Sequence, residues 1–339
     1  MTALRIALPA PVRGRVAALD ELKGVAILLV MLYHAEGVLG LPNRSHGDAG
    51  VDIFLIVSGM ALALAARAEG AGRFLARRFL RIYPAYWLAL TVILWARAHY
   101  FSEHFSGTVI GLHYLGIHAW FGDIEAIAIS DPFWFITLIV SLYVLYLPLR
   151  PLLARPDLVF LLGAVVALVP TVLFLQAGQL REFSHVGLRI PGFFLGLVLG
   201  RLVRDGQLDL PLSPALGLAA FTFFFVPYLF NFIFSTTYLG IGFMGLYALG
   251  LRPFLSAGTG RVLSFLGEHS FELYLIHQPL MRECNFYVLW TYFPGVRNQT
   301  AAVLAGLLVA AGGALGIAVI LHRLLRPLAL LVPREPAAA

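Results

Sequence analysis

The amino-acid sequence predicts an all-α, polytopic integral membrane protein built as a bundle of about ten transmembrane helices. Of its 339 residues, 60% are hydrophobic and only 12% are charged, and the mean hydropathy is +0.86. Soluble domains carry about 25% charged residues, so lipid must cover part of this apolar surface. A spanning helix needs about 20 apolar residues, which leaves room for about ten spans with short loops. We therefore expect one membrane domain over residues 1–339, with short cytoplasmic tails at about 1–22 and 323–339.

Each predicted span is an apolar run bounded by charged residues, glycine or proline. The ninth run is long enough to be broken into two pieces. The ten runs lie at about 24–41, 50–66, 82–98, 132–149, 158–176, 189–203, 212–231, 236–252, 262–290 and 300–322.

The basic residues predict the orientation of these helices. With a cytoplasmic N-terminus, 18 of the 24 lysines and arginines fall in the inner loops and tails. Cytoplasmic loops carry the excess of positive charge in membrane proteins, so this asymmetry favours ten spans with both termini in the cytoplasm. The largest outer loop is then 99–131. The lone cysteine, Cys284, excludes an intramolecular disulfide and a cysteine-based metal cluster.

The first apolar run carries a histidine at mid-depth. His34 follows Lys23 by eleven residues, which in a helix is three turns plus about 20°, so both side chains project from one face. An ionisable residue inside a span is costly and is a functional hypothesis by default. Two interpretations stay open from this helix alone: a reactive imidazole with a cytoplasmic cation, or an interfacial anchor with a hydrogen-bonded core histidine.

The ninth run is unusually polar for a spanning helix. Ser270, Tyr274 and His277 share one helical face, and Glu268, His269 and Glu272 lie in the same stretch. So many polar groups cannot all face lipid, so we expect them to line a cavity or to pair with other helices. A purely structural hydrogen-bond network is the alternative.

Two further segments carry polar groups at informative positions. Asp52 lies near the outer end of the second run, and Ser58 is followed by Gly59, which allows a close backbone approach at depth. At the inner interface, Arg78 and Arg81 are three residues apart, so their guanidinium groups can converge on one phosphate-bearing ligand. The alternative for these arginines is binding of lipid headgroups.

Taken together and in order, these segments resemble the acyltransferase-3 family of bacterial membrane O-acyltransferases. The resemblance covers essentially the whole chain. It rests on Lys23-x10-His34, on Gly50-Val51-Asp52-x-Phe54…Ser58-Gly59, on Arg78-x2-Arg81-Ile82-x-Pro84, on Arg189-Ile190-Pro191-x-Phe193…Gly196 and on Leu266-Gly267-x2-Ser270-Phe271-x-Leu273-Tyr274-Leu275-Ile276-His277.

The resemblance implies an enzyme of the bacterial inner membrane that moves an acyl group from cytoplasmic acyl-CoA to a sugar hydroxyl. The group is usually acetyl, which makes acetyl-CoA the expected donor substrate, and the acceptor is a glycan or a lipid-linked sugar. No metal is implied. His34 is then the essential histidine of the first helix, as general base or acyl carrier, with His277 and Asp52 as further catalytic candidates. The donor-binding candidates are Lys23, Arg78, Arg81, Ser58 and Tyr274.

Two departures from the family pattern qualify the resemblance. The fourth run keeps Trp134, but Ile139 stands where many members have a glutamate, so the carboxylate that partners the histidine stays open between Asp52 and Glu36. A fused extracytoplasmic hydrolase-like domain is absent. We therefore expect the chain to finish the transfer itself or to hand the acyl group to a separate extracytoplasmic transferase.

Other function classes fit the sequence less well. A proton-coupled transporter or flippase also needs buried histidines and carboxylates, but the chain has no internal repeat. A non-enzymatic sensor or scaffold is a third possibility. The outer-loop histidines match no standard metal-site spacing and are expected to be solvated, and the basic residues face a membrane rather than nucleic acid.

Overall fold

The computed structural model describes residues 17–41, 47–65, 69–121, 128–155, 158–159, 162, 187, 189–206, 215, 217–222, 236–296 and 299–332, and in these ranges the chain is helical with no strand. Two predicted spans, 158–176 and 212–231, lie largely outside the described residues. The α-helices of the described ranges are α1 (Ala17–Val38), α2 (Ala49–Leu64), α3 (Ala71–Tyr100), α4 (Gly107–Leu115), α5 (Trp134–Leu149), α6 (Ile190–Arg204), α7 (Thr236–Gly245), α8 (Ala257–Glu268), α9 (Ser270–Gln278), α10 (Asn285–Tyr292) and α11 (Thr300–Leu330).

The apolar runs located these helices but misplaced some of their ends. Helix α3 begins at Ala71, eleven residues before the predicted start of the run 82–98, and α11 continues to Leu330. Arginine ends an apolar run without ending a helix, since its helix propensity is among the best. Arg78 and Arg81 therefore lie on α3 itself rather than in a loop before it.

The long ninth apolar run forms two helices rather than one, as its length had suggested. Helix α8 ends at Glu268 and α9 begins at Ser270, with His269 between them in a non-helical conformation. Beyond α9, the residues Pro279–Cys284 form a π-helical segment that leads into α10. Proline has no backbone N–H and crowds the preceding turn, which accounts for a wider turn at this point.

Several helices carry the length and the surface of membrane-spanning segments. Within the described residues, three are long and apolar enough to cross a bilayer: Ala71–Tyr100, Asp131–Leu149 and Thr300–Leu328. Helix α11 leaves Leu308 75% exposed and Val309 76% exposed, which suits a face in contact with lipid. The ten-span topology and the cytoplasmic placement of both termini stay predictions.

The chain divides into two compact units, each made of separate segments. The first comprises the described parts of Met1–Val30, Ser45–Ala66 and Pro148–Glu268. Within it α2 and α6 pack closely: a Cβ added at Gly59 would lie 2.2 Å from the carbonyl oxygen of Phe193, and one at Gly196 would lie 2.1 Å from that of Ile56. Small residues are what allow helix backbones to approach this closely.

The second unit comprises the described parts of Met31–Arg44, Arg67–Leu147 and His269–Ala339. Helix α9 packs against both α3 and α11. The phenol of Tyr274 on α9 donates a hydrogen bond to the carbonyl oxygen of Pro132 at 3.0 Å, which ties α9 to the start of α5.

Two of the outer-loop histidines are buried, so the prediction that all of them are solvated is wrong. His113 and His118 are at most 1% exposed, and their rings stack with centroids 3.8 Å apart. His113 lies on helix α4, which was not predicted and packs on α3, and His118 lies in the short 3-10 turn that follows. Burial lowers the pKa of His113, and burial together with the neighbouring His113 lowers the pKa of His118 to about 3.

Candidate active site

Two histidines that the sequence separates by 243 positions meet inside the second unit. The ring of His34, near the C-terminal end of α1, lies with its centroid 5.0 Å from that of His277 on α9. The ring of Tyr33 lies nearly perpendicular to that of His34, with centroids 5.2 Å apart. Both histidines were predicted as catalytic candidates, and the fold brings them side by side.

The hydrogen bonds of His277 define its tautomer. Its Nδ1 lies 2.8 Å from the carbonyl oxygen of Tyr274 and 3.2 Å from that of Leu273. A carbonyl oxygen only accepts, so Nδ1 must carry the proton, and Nε2 of the neutral ring holds a free lone pair. This Nε2 is buried and has no hydrogen-bond partner among the described residues. His277 is therefore an oriented base with an open acceptor position.

A second polar cluster surrounds Glu272, one and a half turns before His277 on α9. Its Oε1 accepts hydrogen bonds from Nη1 of Arg81 at 2.5 Å and from Nδ1 of His322 at 3.2 Å. The ring of His269 lies 4.8 Å from that of His322, measured between centroids. Oε2 of Glu272 is buried without a partner among the described residues. This cluster joins α3, α9 and α11 through one carboxylate.

Arg78 is held by aromatic rings rather than by a carboxylate. Its guanidinium carbon lies 4.9 Å from the ring centroid of Tyr143 and 5.3 Å from that of Phe74. Among the described residues it forms no ion pair. A guanidinium held in this way keeps its N–H donors available for an anionic ligand.

The remaining predicted site residues lie in the first unit. Lys23 pairs with Asp20 at 2.6 Å, one turn earlier on α1. Oδ2 of the fully buried Asp52 accepts a hydrogen bond from Nη1 of Arg189 at 2.5 Å, and Arg189 also pairs with Asp48. Ser58 is half-buried on α2, beside the close contact at Gly59. The predicted role of Asp52 as the partner of His34 stays a prediction.

The first unit also contains a cavity of about 640 Å³ beside the start of α1. Its charged lining is mixed, because Asp20, Glu21 and Glu268 face it together with Arg252 and Arg261. Glu21 already bonds Arg252 at 2.6 Å and the phenol of Tyr247 at 3.0 Å. Carboxylates disfavour a polyanion, so this cavity suits the phosphates of a nucleotide less well than the arginines of α3 do.

Three charged residues of these clusters were not predicted to take part in the site. Glu272 stood out as a polar residue in an apolar run, but no partner could be named for it. His322 sits at the edge of the last predicted span, and Arg189 belongs to a family motif without an assigned role. Their partners come from other helices far away in the sequence, so sequence spacing carried no signal for the pairing. Among the described residues, no group of three His, Cys, Asp or Glu side chains is placed to hold a metal ion.

Comparison with known proteins supports the resemblance seen in the sequence motifs. The model of the acyltransferase-3 family, described as an acyltransferase domain, matches residues 16–323. ORF330 of Acidianus two-tailed virus, named as a proposed acetyltransferase, is 30% identical over 132 residues, which are 38% of this chain and 39% of that protein.

A second relative, protein 2 in the picA locus of Rhizobium radiobacter, is 41% identical over 85 residues, which are 23% of this chain and 44% of that protein. The matches thus span less than half the length of each of these two curated relatives. No solved structure matches the chain. Because the family model covers nearly all of the sequence, the chain belongs to the acyltransferase-3 family.

Proposed function

We propose that the protein is a membrane-bound O-acyltransferase that moves an acyl group, most simply acetyl, from cytoplasmic acyl-CoA to a hydroxyl of a glycan or lipid-linked sugar. The observation that carries this proposal is the His34–His277 pair. A buried imidazole with an oriented tautomer and an open Nε2 is the kind of group that general-base catalysis requires. Membership in an acyltransferase family supplies the reaction class.

In the direct route, one imidazole of the pair takes the proton of the acceptor hydroxyl. The hydroxyl oxygen then forms a bond to the thioester carbonyl carbon, and the carbon–sulfur bond breaks. The coenzyme A thiolate leaves and takes up the proton from the imidazolium. In the covalent route, a nitrogen of His34 bonds to the thioester carbonyl carbon, the carbon–sulfur bond breaks and the coenzyme A thiolate leaves. The acceptor oxygen then bonds to the acyl carbon, the carbon–nitrogen bond breaks, and the proton of the hydroxyl ends on the thiolate. Both routes end with the same ester and free coenzyme A.

The donor's phosphates are proposed to bind the arginines of α3. Arg78 has no ion pair among the described residues, and Glu272 occupies only one of the donor groups of Arg81. Two guanidinium groups one helical turn apart match the geometry of a phosphate group. Lys23, Ser58 and Tyr274 stay donor-binding candidates from the sequence. The cationic candidates are expected near the inner membrane surface, where charge stays close to water.

The first test uses purified protein in lipid nanodiscs. Wild-type protein is expected to bind acetyl-CoA and to release free coenzyme A thiol when membrane glycans are supplied. His34→Ala should bind acetyl-CoA normally but release thiol at least about 100-fold more slowly, because a positioned base contributes that much. His104→Ala, which changes an exposed loop histidine, is the matched control and should behave as wild type.

Two results would contradict the proposal. Wild-type turnover in folded His34→Ala would remove the imidazole from the mechanism. If the wild-type protein neither binds acetyl-CoA nor releases thiol, that result would instead favour a transporter or flippase, which has no need of a thioester.

A related test concerns the donor site alone. Replacing Arg78 or Arg81 by alanine should raise the apparent KM for acetyl-CoA while changing kcat little, because a phosphate contact is made equally in the ground state and the transition state. Initial rates over a range of acetyl-CoA concentrations measure this. A KM equal to that of wild type in both variants would place the phosphates elsewhere.

A further inference from the structure

The buried carboxylate of Glu272 makes two contacts that the proposed reaction does not yet use. The residue is fully buried on α9, and its Oε1 receives hydrogen bonds from Arg81 of α3 and His322 of α11. An ionised carboxylate in such a place is costly to desolvate, and its partners must offset that cost. Well-packed apolar residues would join the three helices at least as firmly. A charge at this point therefore calls for a use other than stability.

The second observation concerns how Arg81 is held. Its guanidinium is fixed from two sides by α9, since Nη1 bonds Glu272 and the guanidinium carbon lies 5.5 Å from the ring centroid of Phe271. The arginine side chain is still 37% exposed. Guanidinium has five N–H donors, and among the described residues Glu272 is the hydrogen-bond partner of Arg81. The remaining donors form a planar fork whose direction is already set.

A guanidinium group held in one orientation binds an anion better than one whose side chain rotates freely. An exposed arginine loses rotamer freedom when it binds a ligand, whereas a pre-oriented side chain has already lost it. His322 keeps the carboxylate in place from the opposite helix and is itself only 11% exposed. The arrangement thus links a donor-binding candidate on α3 to a framework on α9 and α11.

We infer that Glu272 is a positioning residue that directs Arg81 toward the phosphates of the acyl donor, with His322 as the second support of its carboxylate. This inference rests on the proposed function, because it needs Arg81 to bind the donor. Glu272 itself touches neither the donor nor the reacting atoms. Its removal should therefore weaken donor binding while leaving the chemical step close to wild type.

The chain offers a matched control for this test. Arg97, also on α3, pairs with Glu283 of the π-helical segment that follows α9. Glu272→Gln and Glu283→Gln each remove the charge from one arginine-bound carboxylate and keep its shape. We expect Glu272→Gln to raise the apparent KM for acetyl-CoA by about tenfold or more, with kcat within about threefold of wild type. Glu283→Gln should leave that KM unchanged.

A charge exchange separates donor binding by the cation on α3 from mere pairing of α3 with α9. Arg81→Glu combined with Glu272→Arg keeps an ion pair between α3 and α9 but moves the cation off α3. If the ion pair only joined the helices and Arg81 did not bind the donor, this double variant would recover the wild-type KM, and the inference would be overturned. We expect the KM to stay raised even where the melting temperature recovers. Should Glu272→Gln fail to accumulate in membranes, Glu272→Asp, which keeps the charge on a shorter side chain, should give an intermediate KM.

The failure of this inference differs from the failure of the proposed function. A wild-type KM in Glu272→Gln, together with a raised KM in Arg81→Ala, overturns the inference and leaves the acyltransferase in place. If the wild-type protein does not bind acetyl-CoA, both the inference about Glu272 and the proposed function are overturned. Direct titration of coenzyme A into each purified variant gives the same comparison without turnover.

Discussion

The buried histidines differ in how many of their ring nitrogens are satisfied and in what surrounds them. His113 donates from Nδ1 to the carbonyl oxygen of Val109 at 2.9 Å and accepts at Nε2 from the backbone N–H of Ile129 at 3.3 Å. His277 has a partner at Nδ1 but none among the described residues at Nε2. Nε2 of His118 is also buried without a partner among the described residues, so what distinguishes His277 is its position beside His34.

Residue-level prediction from the sequence succeeded where a motif named the residue. His34 and His277 follow from the order of motifs along the chain, and the fold brings their rings together. The burial of His113 did not follow, because a histidine between two predicted apolar runs looks like a solvated loop residue, whereas it lies on the unpredicted helix α4 that packs on α3. The role of Glu272 depends on Arg81 and His322, which lie 191 and 50 positions away.

The stacked histidines of the loop between α3 and α5 predict a loss of stability in acid. Burial lowers the pKa of His118 from 6.5 to about 3, so below pH 6.5 the unfolded chain binds more protons than the folded one. Stability should therefore fall as the pH falls from about 6.5 toward 3, by up to about 2 kcal/mol at pH 5, and His118 should add nothing above pH 7. The pKa of His113 is lowered as well, in the same direction.

Melting temperatures of the detergent-solubilised protein at pH 7 and pH 5 measure this effect. His118→Gln keeps a hydrogen-bonding side chain that cannot titrate in this range, and it should show a smaller difference between the two pH values than wild type. His104→Ala, exposed in the same loop, should show the wild-type difference. An unchanged difference in His118→Gln would remove His118 as the source.

At the scale of helices, the sequence predicted which helices exist better than it predicted where each helix begins and ends. Apolar periodicity located most described helices, but α3 and α11 run past the charged residues that were taken to end them. Hydropathy indicates which residues can lie in the lipid, whereas a helix ends where its backbone hydrogen bonds end. The break at His269 is different, because a run longer than a bilayer needs had already suggested it.

Close packing of α2 on α6 makes a prediction for Gly196. Its Cβ in Gly196→Ala would lie 2.1 Å from the carbonyl oxygen of Ile56, so the two helix backbones must move apart. Overpacking of this kind costs about 1–3 kcal/mol, and the melting temperature should fall. Gly312→Ala on α11 is the control, since no atom lies within 4 Å of the added Cβ. Alanine there should keep or raise stability, because it favours helix over glycine by about 1 kcal/mol.

Thermal denaturation of the two glycine variants in the same detergent decides this point. An equal melting temperature for Gly196→Ala and wild type would show that α2 and α6 tolerate a wider separation than the described contact suggests.

At the scale of the whole molecule, the family follows from five motifs in one order, and composition alone predicted an all-helical membrane protein. The described residues are helical, and three of the helices are long and apolar enough to span a bilayer. The sides of the membrane on which the loops and tails lie are predicted from the distribution of basic residues alone.

The predicted topology places the loop 99–131 outside and the C-terminal tail inside. Cys284 is the lone cysteine, so Cys284→Ser gives a background for single-cysteine labelling. In that background, a membrane-impermeant maleimide should label His104→Cys on intact spheroplasts and should label Ala337→Cys only after permeabilisation. Labelling of both positions on intact spheroplasts would contradict the odd number of spans predicted between them and the cytoplasmic tail.

The central claim is that the chain uses His34 to move an acyl group from cytoplasmic acyl-CoA to a membrane-associated hydroxyl. Inside-out membrane vesicles present the cytoplasmic face to the medium, and acetyl-CoA does not cross the bilayer. With acetyl-labelled acetyl-CoA outside, vesicles that contain the wild-type protein should incorporate label into glycan or lipid-linked sugar. Vesicles with an equal amount of His34→Ala should incorporate only the background of vesicles without the protein. Equal incorporation with wild type and His34→Ala would contradict the claim.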